Sequence, residues 1–243
     1  MKRGLHIALI GYGKMGREIE KMALEQGHLV VAVIDSPGDW HEREAGLGQA
    51  SVAIEFTVPD QAPGNILRCF DRQLPVVCGT TGWQKELPRI RQLCLEKEQA
   101  LFHSPNFSIG VNLFFEINRR LAGMMAGLPA YRPRITETHH TQKLDAPSGT
   151  AVALAEEILH ARNDMSCWVL SEQEGRDGEL PIQAIRREGV TGTHVVDYRS
   201  PVDSIEIRHT AFNRQGFAEG ALMAANWVAG KKGVFTMKDM LNL

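Results

Sequence analysis

The sequence predicts an α/β protein that begins with a doubly wound parallel-sheet domain and continues into a second domain of α+β type. Three observations lead to this prediction. Short apolar runs alternate with amphipathic stretches over the first hundred residues, and the runs show no polar alternation. After residue 180, strand-like segments follow one another with no helix between them.

The N-terminal alternation starts with an apolar run over 6–10 that ends at Gly11. A helical pattern over 14–26 follows, with Gly27 as its C-terminal stop. Continuous apolar runs fit strands that are buried on both faces of a sheet. The pattern predicts further strands at 29–34, 52–57, 75–78 and 100–103, with helices at 60–72 and 84–98 between them.

The second half of the chain has a different pattern. A polar stretch over 171–180 predicts an exposed loop, and the strands after it predict an antiparallel or mixed sheet. A small-residue-rich helix over 217–229 is expected to return to the first domain. The remaining predicted elements are helices at 109–126 and 150–162 and strands at 132–138, 182–187, 193–199 and 203–209.

Composition excludes several classes of protein. The 243 residues carry 27 basic and 29 acidic side chains, so no broad basic field for nucleic acid is expected. No apolar run approaches the ~20 residues that span a bilayer, and the N-terminus shows no signal-peptide pattern. The 4 cysteines lack metal-ligand spacing. These features predict a cytoplasmic protein with reduced thiols.

A glycine fingerprint lies where the first predicted strand meets the first helix. The pattern is GxGxxG: the first glycine permits a tight turn, the second admits a pyrophosphate, and the third lets helix and strand pack closely. The helix N-terminus adds unpaired N–H groups for phosphates. The sequence therefore predicts a Rossmann-type dinucleotide site that includes Gly11, Tyr12, Gly13, Lys14, Met15 and Gly16.

Asp35 completes the fingerprint, since it ends the next strand and lies 19 residues after Gly16. A carboxylate there accepts both ribose hydroxyls of the adenosine half. Ser36 follows it instead of an arginine, so no adjacent cation awaits a 2′-phosphate. We therefore expect NADH or NADPH as the cofactor with NADH favoured, while an arginine elsewhere, such as Arg43, remains an alternative source of charge.

Two more segments follow predicted strands at the edge where such domains bind ligands. Each offers backbone groups and small side chains, and the aromatic ring of Phe107 is a candidate to pack on a nicotinamide. The segments add these residues to the predicted cofactor contacts: Gly79, Thr80 and Thr81, and Ser104, Pro105, Asn106 and Phe107.

The segment 137–151 concentrates polar chemistry, with adjacent histidines, a lysine and a Pro-Ser-Gly-Thr turn that opens a helix. Histidine gives or takes a proton near neutral pH, and the helix start offers N–H groups to an anion. This pattern predicts a carboxylate substrate that receives a hydride and a proton. Adjacent histidines rarely share a metal, and we expect no metal site at His139 and His140.

The same segment, ETHHTQKLDAPSGTA, resembles the signature of the dihydrodipicolinate reductase family. The resemblance extends over nearly the whole chain, through GYGKMG, GTTG, PNFSIGVN, the Gly192-Thr193-His194 stretch, DSIEIRHTA and FAEGA. It implies NAD(P)H-dependent reduction of 4-hydroxy-tetrahydrodipicolinate in the diaminopimelate route to lysine.

The resemblance also implies roles for single residues. His139 is the general acid or base and Lys143 the second proton donor. His140 contacts the substrate, Gly149 and Thr150 hold a carboxylate, and Ser148 lies close by. A homotetramer is expected, built by the mixed sheet of a central domain over 107–215. The dinucleotide domain then comprises 1–106 with 216–243.

Two features depart from the family pattern. The glycine loop is one residue shorter than the GxxGxMG form of many members, and Ser36 stands where several members carry an arginine. Two alternatives stay open: another two-domain Rossmann dehydrogenase of amino-acid metabolism, and a non-catalytic NADH-binding redox sensor. Neither alternative accounts for the double-histidine and lysine segment.

Overall fold

The computed structural model describes residues 4–173, 175–213 and 215–243. The chain divides into two compact units. One comprises Met1–Ile109 with Gln215–Leu243, and the other comprises Gly110–Arg214. Within the described ranges, no helix combines the length and the apolar character needed to cross a membrane.

The N-terminal segment alternates strands and helices, as its apolar pattern predicts. Two short helices and a single 3₁₀ turn interrupt the simple alternation. The elements are β1 (His6–Ile10), α1 (Lys14–Glu25), β2 (Leu29–Ile34), α2 (Asp39–Glu42), α3 (Glu44–Leu47), β3 (Val52–Glu55), α4 (Ala62–Asp71), β4 (Val76–Cys78), α5 (Leu87–Glu96) and β5 (Ala100–His103).

The second unit starts with a long helix and continues mainly as strands. The polar stretch predicted as a loop over 171–180 is wrong at its C-terminal end, because the strand there begins at Glu179 and Leu180 is buried. The elements are α6 (Ile109–Met125), β6 (Arg132–His139), α7 (Gly149–Ala161), β7 (Cys167–Leu170), β8 (Glu179–Arg186), β9 (Gly192–Arg199) and β10 (Ser204–Ala211).

The C-terminal segment belongs to the first unit. It consists of α8 (Gln215–Val228), β11 (Gly233–Phe235) and α9 (Met237–Leu241). β11 pairs in parallel with β5 and extends the sheet to six parallel strands in the order β11-β5-β4-β3-β1-β2. This topology confirms the predicted parallel-sheet fold, while the sequence pattern missed the three-residue edge strand.

The parallel sheet is buried on both faces. Alternate residues of β1 point to opposite sides: Ile7 and Leu9 join a core that α1 and α8 complete, whereas Ala8 and Ile10 join one that α4 and α5 complete. Burial on both faces explains why the strands read as continuous apolar runs instead of alternating ones.

The second unit contains a mixed sheet in the order β10-β9-β6-β8-β7. β6 and β8 are parallel, whereas β9 runs antiparallel to both β6 and β10. Residues of α6 and α7 pack on one face, with Ile135 and Val196 in the shared core. The structure therefore selects the mixed sheet from the two arrangements that the sequence left open.

Candidate cofactor and substrate sites

The glycine turn lies between β1 and α1. Gly11 has a φ of +91°, and a Cβ there would lie 2.1 Å from the Phe56 carbonyl oxygen. At Gly16 a Cβ would lie 2.3 Å from the carbonyl oxygen of Gly11, whereas at Gly13 it would meet no atom within 4 Å. The first and third glycines thus serve close packing, and the second leaves open space above the N-terminus of α1.

Asp35 follows β2 and faces this turn. The backbone N–H of Tyr12 donates to Asp35 Oδ1 at 2.8 Å, which leaves the second carboxylate oxygen for a ligand. The N–H groups of Asp35 and Ser36 both donate to Asp39 Oδ2, at 2.8 and 2.7 Å, and these bonds lower the pKa of Asp39. The conformation of the loop that contains Asp35 is therefore stabilised by hydrogen bonds to the Asp39 carboxylate.

A cavity of about 280 Å³ opens beside Asp35. Its walls come from the β2 loop and from the N-terminal half of α4. Arg43, which the sequence offered as a source of positive charge, does not line it, but Arg68 of α4 does. The lining residues are Ile10, Ile34, Asp35, Ser36, Pro37, Trp40, Thr57, Asp60, Gln61, Gly64, Asn65 and Arg68.

The two other predicted cofactor segments share a second cavity of about 160 Å³ in the same unit. Thr80 and Thr81 from one segment and Ser104 and Pro105 from the other contribute to its lining. Thr80 is fixed from two sides, since its Oγ1 accepts from the Thr57 N–H and its carbonyl accepts from the Trp83 indole, both at 2.7 Å. The structure thus brings both segments to one place at the carboxyl edge of the sheet.

Phe107 occupies a different position from the one that its predicted role requires. Its ring is 1% exposed and packs in the core against Phe56 and Phe102, with centroid distances of 5.8 Å to each. A buried ring of this kind leaves only the main chain of Phe107 for a cofactor contact, and the expected packing on a nicotinamide is corrected accordingly. Neighbouring Asn106 shapes the turn, because its Oδ1 accepts from the Ser108 N–H at 2.9 Å.

In the second unit, β6 places Glu137 and His139 on one buried face because they lie two residues apart on a strand. β9 adds His194 to this face, directly opposite Glu137 in the antiparallel pairing. The two imidazole rings meet edge to face with centroids 5.0 Å apart. His140, the next residue along, has its Nδ1 buried without a hydrogen-bond partner among the described residues.

Glu137 is the centre of this cluster and is fully buried. Arg186 of β8 places both terminal nitrogens 3.3 Å from Oε1, and the Ser148 N–H donates to Oε2 at 3.0 Å. Nδ1 of His139 lies 3.6 Å from Oε2. A buried carboxylate needs such partners, since burying it unpaired costs several kcal/mol.

Burial keeps both histidines neutral. It lowers the pKa of His194 to about 3, and the positive charges of His139, His209 and Lys143 act in the same direction. Burial also lowers the pKa of His139, against the opposing effect of the Glu137 carboxylate. The site therefore presents two imidazoles that accept or donate hydrogen bonds without carrying charge near neutral pH.

Lys143 lies in the loop after β6. Its ammonium contacts both carboxylate oxygens of Asp145 at 2.7 Å, and this contact lowers the pKa of Asp145. The guanidinium of Arg186 crosses beneath the loop, donating from Nε to the Lys143 carbonyl at 3.2 Å and from Nη2 to the Asp145 carbonyl at 2.6 Å. Arg186 thus joins this loop to Glu137.

The Pro-Ser-Gly-Thr turn forms the N-terminus of α7. Ser148 is the N-cap, with its Oγ accepting from the Ala151 N–H at 3.2 Å and sharing a 3.0 Å hydrogen bond with His194 Nε2. A Cβ at Gly149 would meet no atom within 4 Å, so the helix end is open there. The free N–H groups of Gly149 and Thr150 and the helix dipole favour an anion at this point.

Glu137, His139 and His194 also form the one described group whose donor atoms lie close enough to hold a metal ion, all within 4.8 Å. The sequence shows no acidic partner for the histidines at a familiar metal-ligand spacing, whereas the structure places Glu137 beside His139 and His194. The Glu137 carboxylate is already bound by Arg186 and by the Ser148 N–H, so a cation would compete with both. The geometry therefore favours a hydrogen-bonded cluster over a metal centre.

Sequence reasoning missed four residues of these sites: Glu137, Arg186, His194 and Arg68. Only Glu137 gave a local signal, since it precedes His139 by two residues on a predicted strand. Arg186 and His194 come from other strands, and Arg68 comes from α4, which lines the same cavity as Asp35.

Two family models together match most of the chain. Residues 5–107 match the model described as dihydrodipicolinate reductase, N-terminus, and residues 110–241 match its C-terminus counterpart. A 4-hydroxy-tetrahydrodipicolinate reductase of Christiangramia forsetii is 47% identical over 238 residues, which cover 98% of each chain. The Lawsonia intracellularis protein of that name is 34% identical over 263 residues, covering 98% of this chain and 99% of the relative.

Solved structures agree with these matches. A dipicolinate-bound dihydrodipicolinate reductase from Paenisporosarcina sp. superposes with a TM-score of 0.77 at 26% identity, covering 97% of this chain and 98% of the other. An amine dehydrogenase from Mycobacterium smegmatis gives a TM-score of 0.58 at 10% identity over 97% and 95% of the two chains. The second likeness shows a shared fold alone.

The glycine geometry predicts opposite effects for two similar substitutions. Gly16→Ala should lower the free energy of unfolding by about 1–3 kcal/mol, because the new methyl group would overlap the Gly11 carbonyl. Gly13→Ala should leave stability within about 0.5 kcal/mol and weaken NADH binding instead, since its methyl group would enter open space. Urea unfolding and NADH titration of both variants check this, and equal stability losses would contradict it.

Burial of His194 predicts a pH-dependent stability. Its folded pKa of about 3 lies below the ordinary value of 6.5, so below pH 6.5 the unfolded chain binds a proton that the folded chain does not. Stability should therefore fall with pH by about 1.4 kcal/mol per unit, or about 2 kcal/mol between pH 6.5 and 5. Glutamine does not titrate, so His194→Gln should not lose stability in this way. The free energy of unfolding of the wild type minus that of the variant should therefore decrease by about 2 kcal/mol between pH 6.5 and 5. A difference that stays constant in chemical unfolding at both pH values would refute the assignment.

Proposed function

Because this chain belongs to the dihydrodipicolinate reductase family, we propose that its glycine turn and Asp35 bind the nicotinamide cofactor while residues 137–150 bind and protonate the ring substrate. The chain reduces 4-hydroxy-tetrahydrodipicolinate with a nicotinamide cofactor, the activity for which its curated relatives are named. The observation that supports the residue assignment is the cluster around Glu137. It connects His139 and His194 with the loop that carries Lys143 and with the N-terminus of α7.

The first unit fits a dinucleotide. The open space at Gly13 and the N-terminus of α1 suit the pyrophosphate, and the free oxygen of Asp35 suits the ribose hydroxyls. Thr80, Thr81 and Ser104 line the cavity offered to the nicotinamide half. The bound dihydronicotinamide supplies the hydride for the reduction.

The second unit fits a substrate with two carboxylates. One carboxylate is assigned to the open N-terminus of α7, where Ser148, Gly149 and Thr150 supply N–H and hydroxyl groups. The other is assigned to Lys143 and His140. Among the described residues, the Lys143 ammonium pairs with the exposed Asp145 carboxylate, so a substrate carboxylate exchanges with that partner at small cost.

Proton transfer is assigned to His139 and Lys143. The reduction places a hydride on C4, expels the 4-hydroxyl as water and consumes one proton overall. His139 starts neutral because burial lowers its pKa, and the negative charge of a bound dicarboxylate favours its protonation. Glu137 acts through His139: its Oε2, 3.6 Å from Nδ1, stabilises the imidazolium once it forms. The positive groups then lie where charge develops in the transition state.

The cofactor proposal includes a preference for NADH. The Asp35 carboxylate accepts ribose hydroxyls but repels a 2′-phosphate, and Ser36 adds no positive charge beside it. Both cofactors remain usable in this proposal, with NADH giving the higher kcat/KM.

The proposal also includes a homotetramer built through the mixed sheet. The face of that sheet opposite α6 and α7 carries half-buried side chains, among them Thr136, Thr138 and Ile185. A sheet face that no described helix of the same unit covers is available to pair with another copy.

Further elements of the proposal concern the cellular setting. We assign the enzyme to the diaminopimelate route to lysine, which follows from the reaction of its named relatives. We assign it to the cytoplasm, with support from the buried unpaired thiols of Cys69, Cys78 and Cys94, which fit a reducing compartment. Nucleic acid and membrane are not expected partners, given the near balance of 27 basic and 29 acidic residues.

A coupled assay at 340 nm tests the reaction and the catalytic residues together. The substrate is generated from pyruvate and aspartate semialdehyde by the upstream synthase, with NADH or NADPH supplied in parallel. We expect oxidation of both, faster with NADH, and a fall in kcat of about 10²-fold or more in His139→Gln with a smaller effect on KM. Unchanged kcat in this variant would remove His139 from catalysis.

The oligomer is tested separately by sedimentation equilibrium. We expect a mass four times that of the chain over a tenfold range of protein concentration, because a tetramer built through extended sheet faces dissociates little. A mass equal to one chain would contradict the proposed assembly and leave the reaction assay unaffected.

A further inference from the structure

The cavity beside Asp35 contains a cation that the sequence pattern around Asp35 does not predict. Among the residues that line this cavity, three carry ionisable charge: Asp35 and Asp60 are acidic, and Arg68 is basic. Arg68 lies on α4, and its guanidinium contacts Trp40 of α2, the helix that follows the loop after Asp35. Among the residues that line this cavity, a negative group placed next to Asp35 therefore meets a single guanidinium.

Arg68 is held in position by an aromatic contact. Its Cζ lies 5.3 Å from the centre of the Trp40 ring, and Trp40 is 7% exposed and packed in the core. A guanidinium over an aromatic face at this distance makes a favourable cation–π contact. The contact covers one face of the guanidinium and leaves its five N–H donors available to a ligand.

Arg72 provides a natural comparison, since it contacts the same ring at the same 5.3 Å distance. Its guanidinium is already engaged: Nη2 pairs with Glu44 at 2.8 Å and Nη1 donates to the Arg68 carbonyl at 3.0 Å. Arg72 does not line the cavity. Across the described ranges, by contrast, no carboxylate forms an ion pair with Arg68, so its charge is available to a ligand.

The cavity of about 280 Å³ leaves room for an adenosine group beside α4. Gly64 of α4 lines it, and a Cβ there would meet no atom within 4 Å, so the helix surface leaves room for a flat ring system. An adenosine whose ribose hydroxyls reach Asp35 carries its 2′ position toward the loop that begins with Ser36. A phosphate at that position is repelled by Asp35 and needs a cation from elsewhere.

We propose that Arg68 is the specificity-determining residue for the 2′-phosphate, so that it supplies from α4 the charge that an arginine after Asp35 would otherwise supply. The proposal rests on the proposed cofactor function of the first unit. Arg68 offers the 2′-phosphate charge-assisted hydrogen bonds that NADH cannot use. The opposing charges of Asp35 and Arg68 then let the chain accept both cofactors, with Arg68 determining how well NADPH binds.

Calorimetric binding to the full chain tests this with two cofactors and two fragments. The ligands are NADH, NADPH, adenosine 5′-monophosphate and adenosine 2′,5′-bisphosphate, and the variants are Arg68→Met, Arg68→Lys and the control Arg72→Met. We expect R68M to weaken NADPH and the bisphosphate about tenfold or more while changing NADH and the monophosphate less than threefold. R68K should recover most of the lost affinity, and R72M should bind all four ligands like wild type.

Each other outcome overturns the proposal in an identifiable way. Equal weakening of all four ligands in R68M would make Arg68 an adenine-stacking residue without 2′-phosphate specificity. Unchanged binding of NADPH in R68M would show that Arg68 has no role. Failure of NADH to bind the wild-type chain would instead refute the proposed cofactor function. Arg68 is exposed and, within the described part of the chain, contributes only its contact with Trp40, so R68M should unfold at a urea midpoint only slightly below that of the wild type, which checks that the fold is intact.

Discussion

The second unit depends on the requirement that the buried Glu137 carboxylate be neutralised. No water reaches this side chain, and an unpaired carboxylate in such a place would cost several kcal/mol. Arg186 and the Ser148 N–H meet the requirement, and in doing so they fix β8 and the start of α7 relative to β6. The Glu137 carboxylate held in this way lies 3.6 Å from Nδ1 of His139, and Arg186 also donates to the carbonyl of Lys143 in the loop after β6. The buried carboxylate thereby connects His139, Ser148 and the Lys143 loop, which are three of the elements assigned to the substrate.

In the first unit a comparable role belongs to Phe56, which follows β3. Its carbonyl oxygen lies against Gly11, and its ring lies so close to Gly79 that a Cβ there would be 2.2 Å away. Two predicted cofactor turns are thus packed against one residue, and both need glycine for that reason. Their close approach to Phe56 fixes the positions of both turns at the carboxyl edge of the sheet, where parallel α/β domains bind ligands.

The sequence predicted what depends on local signals and missed what depends on long-range pairing. The glycine fingerprint and Asp35 follow from a turn, a helix start and a strand end, and each has a local pattern. β7, β11 and α9 have three to five residues each, too few for a period to appear. His194 is 57 residues from Glu137 and reaches it only through the register of β6 and β9. Arg68 was missed because a cation was sought next to Asp35 in the sequence, whereas a residue of α4, 33 positions later, lines the same cavity.

The two units differ in whether the side chains of their candidate sites carry charge. The cavity beside Asp35 is lined by a carboxylate and by the guanidinium of Arg68, so that in the proposed cofactor site discrimination between NADH and NADPH is a balance of two charges that solvent and salt moderate. At the Glu137 cluster the histidines are kept neutral by burial, and their charge can change when a ligand arrives. In the proposed mechanism, a dicarboxylate that enters this second site brings the negative charge that makes protonation of His139 favourable. The proposed acid is then generated by the substrate to which it transfers the proton.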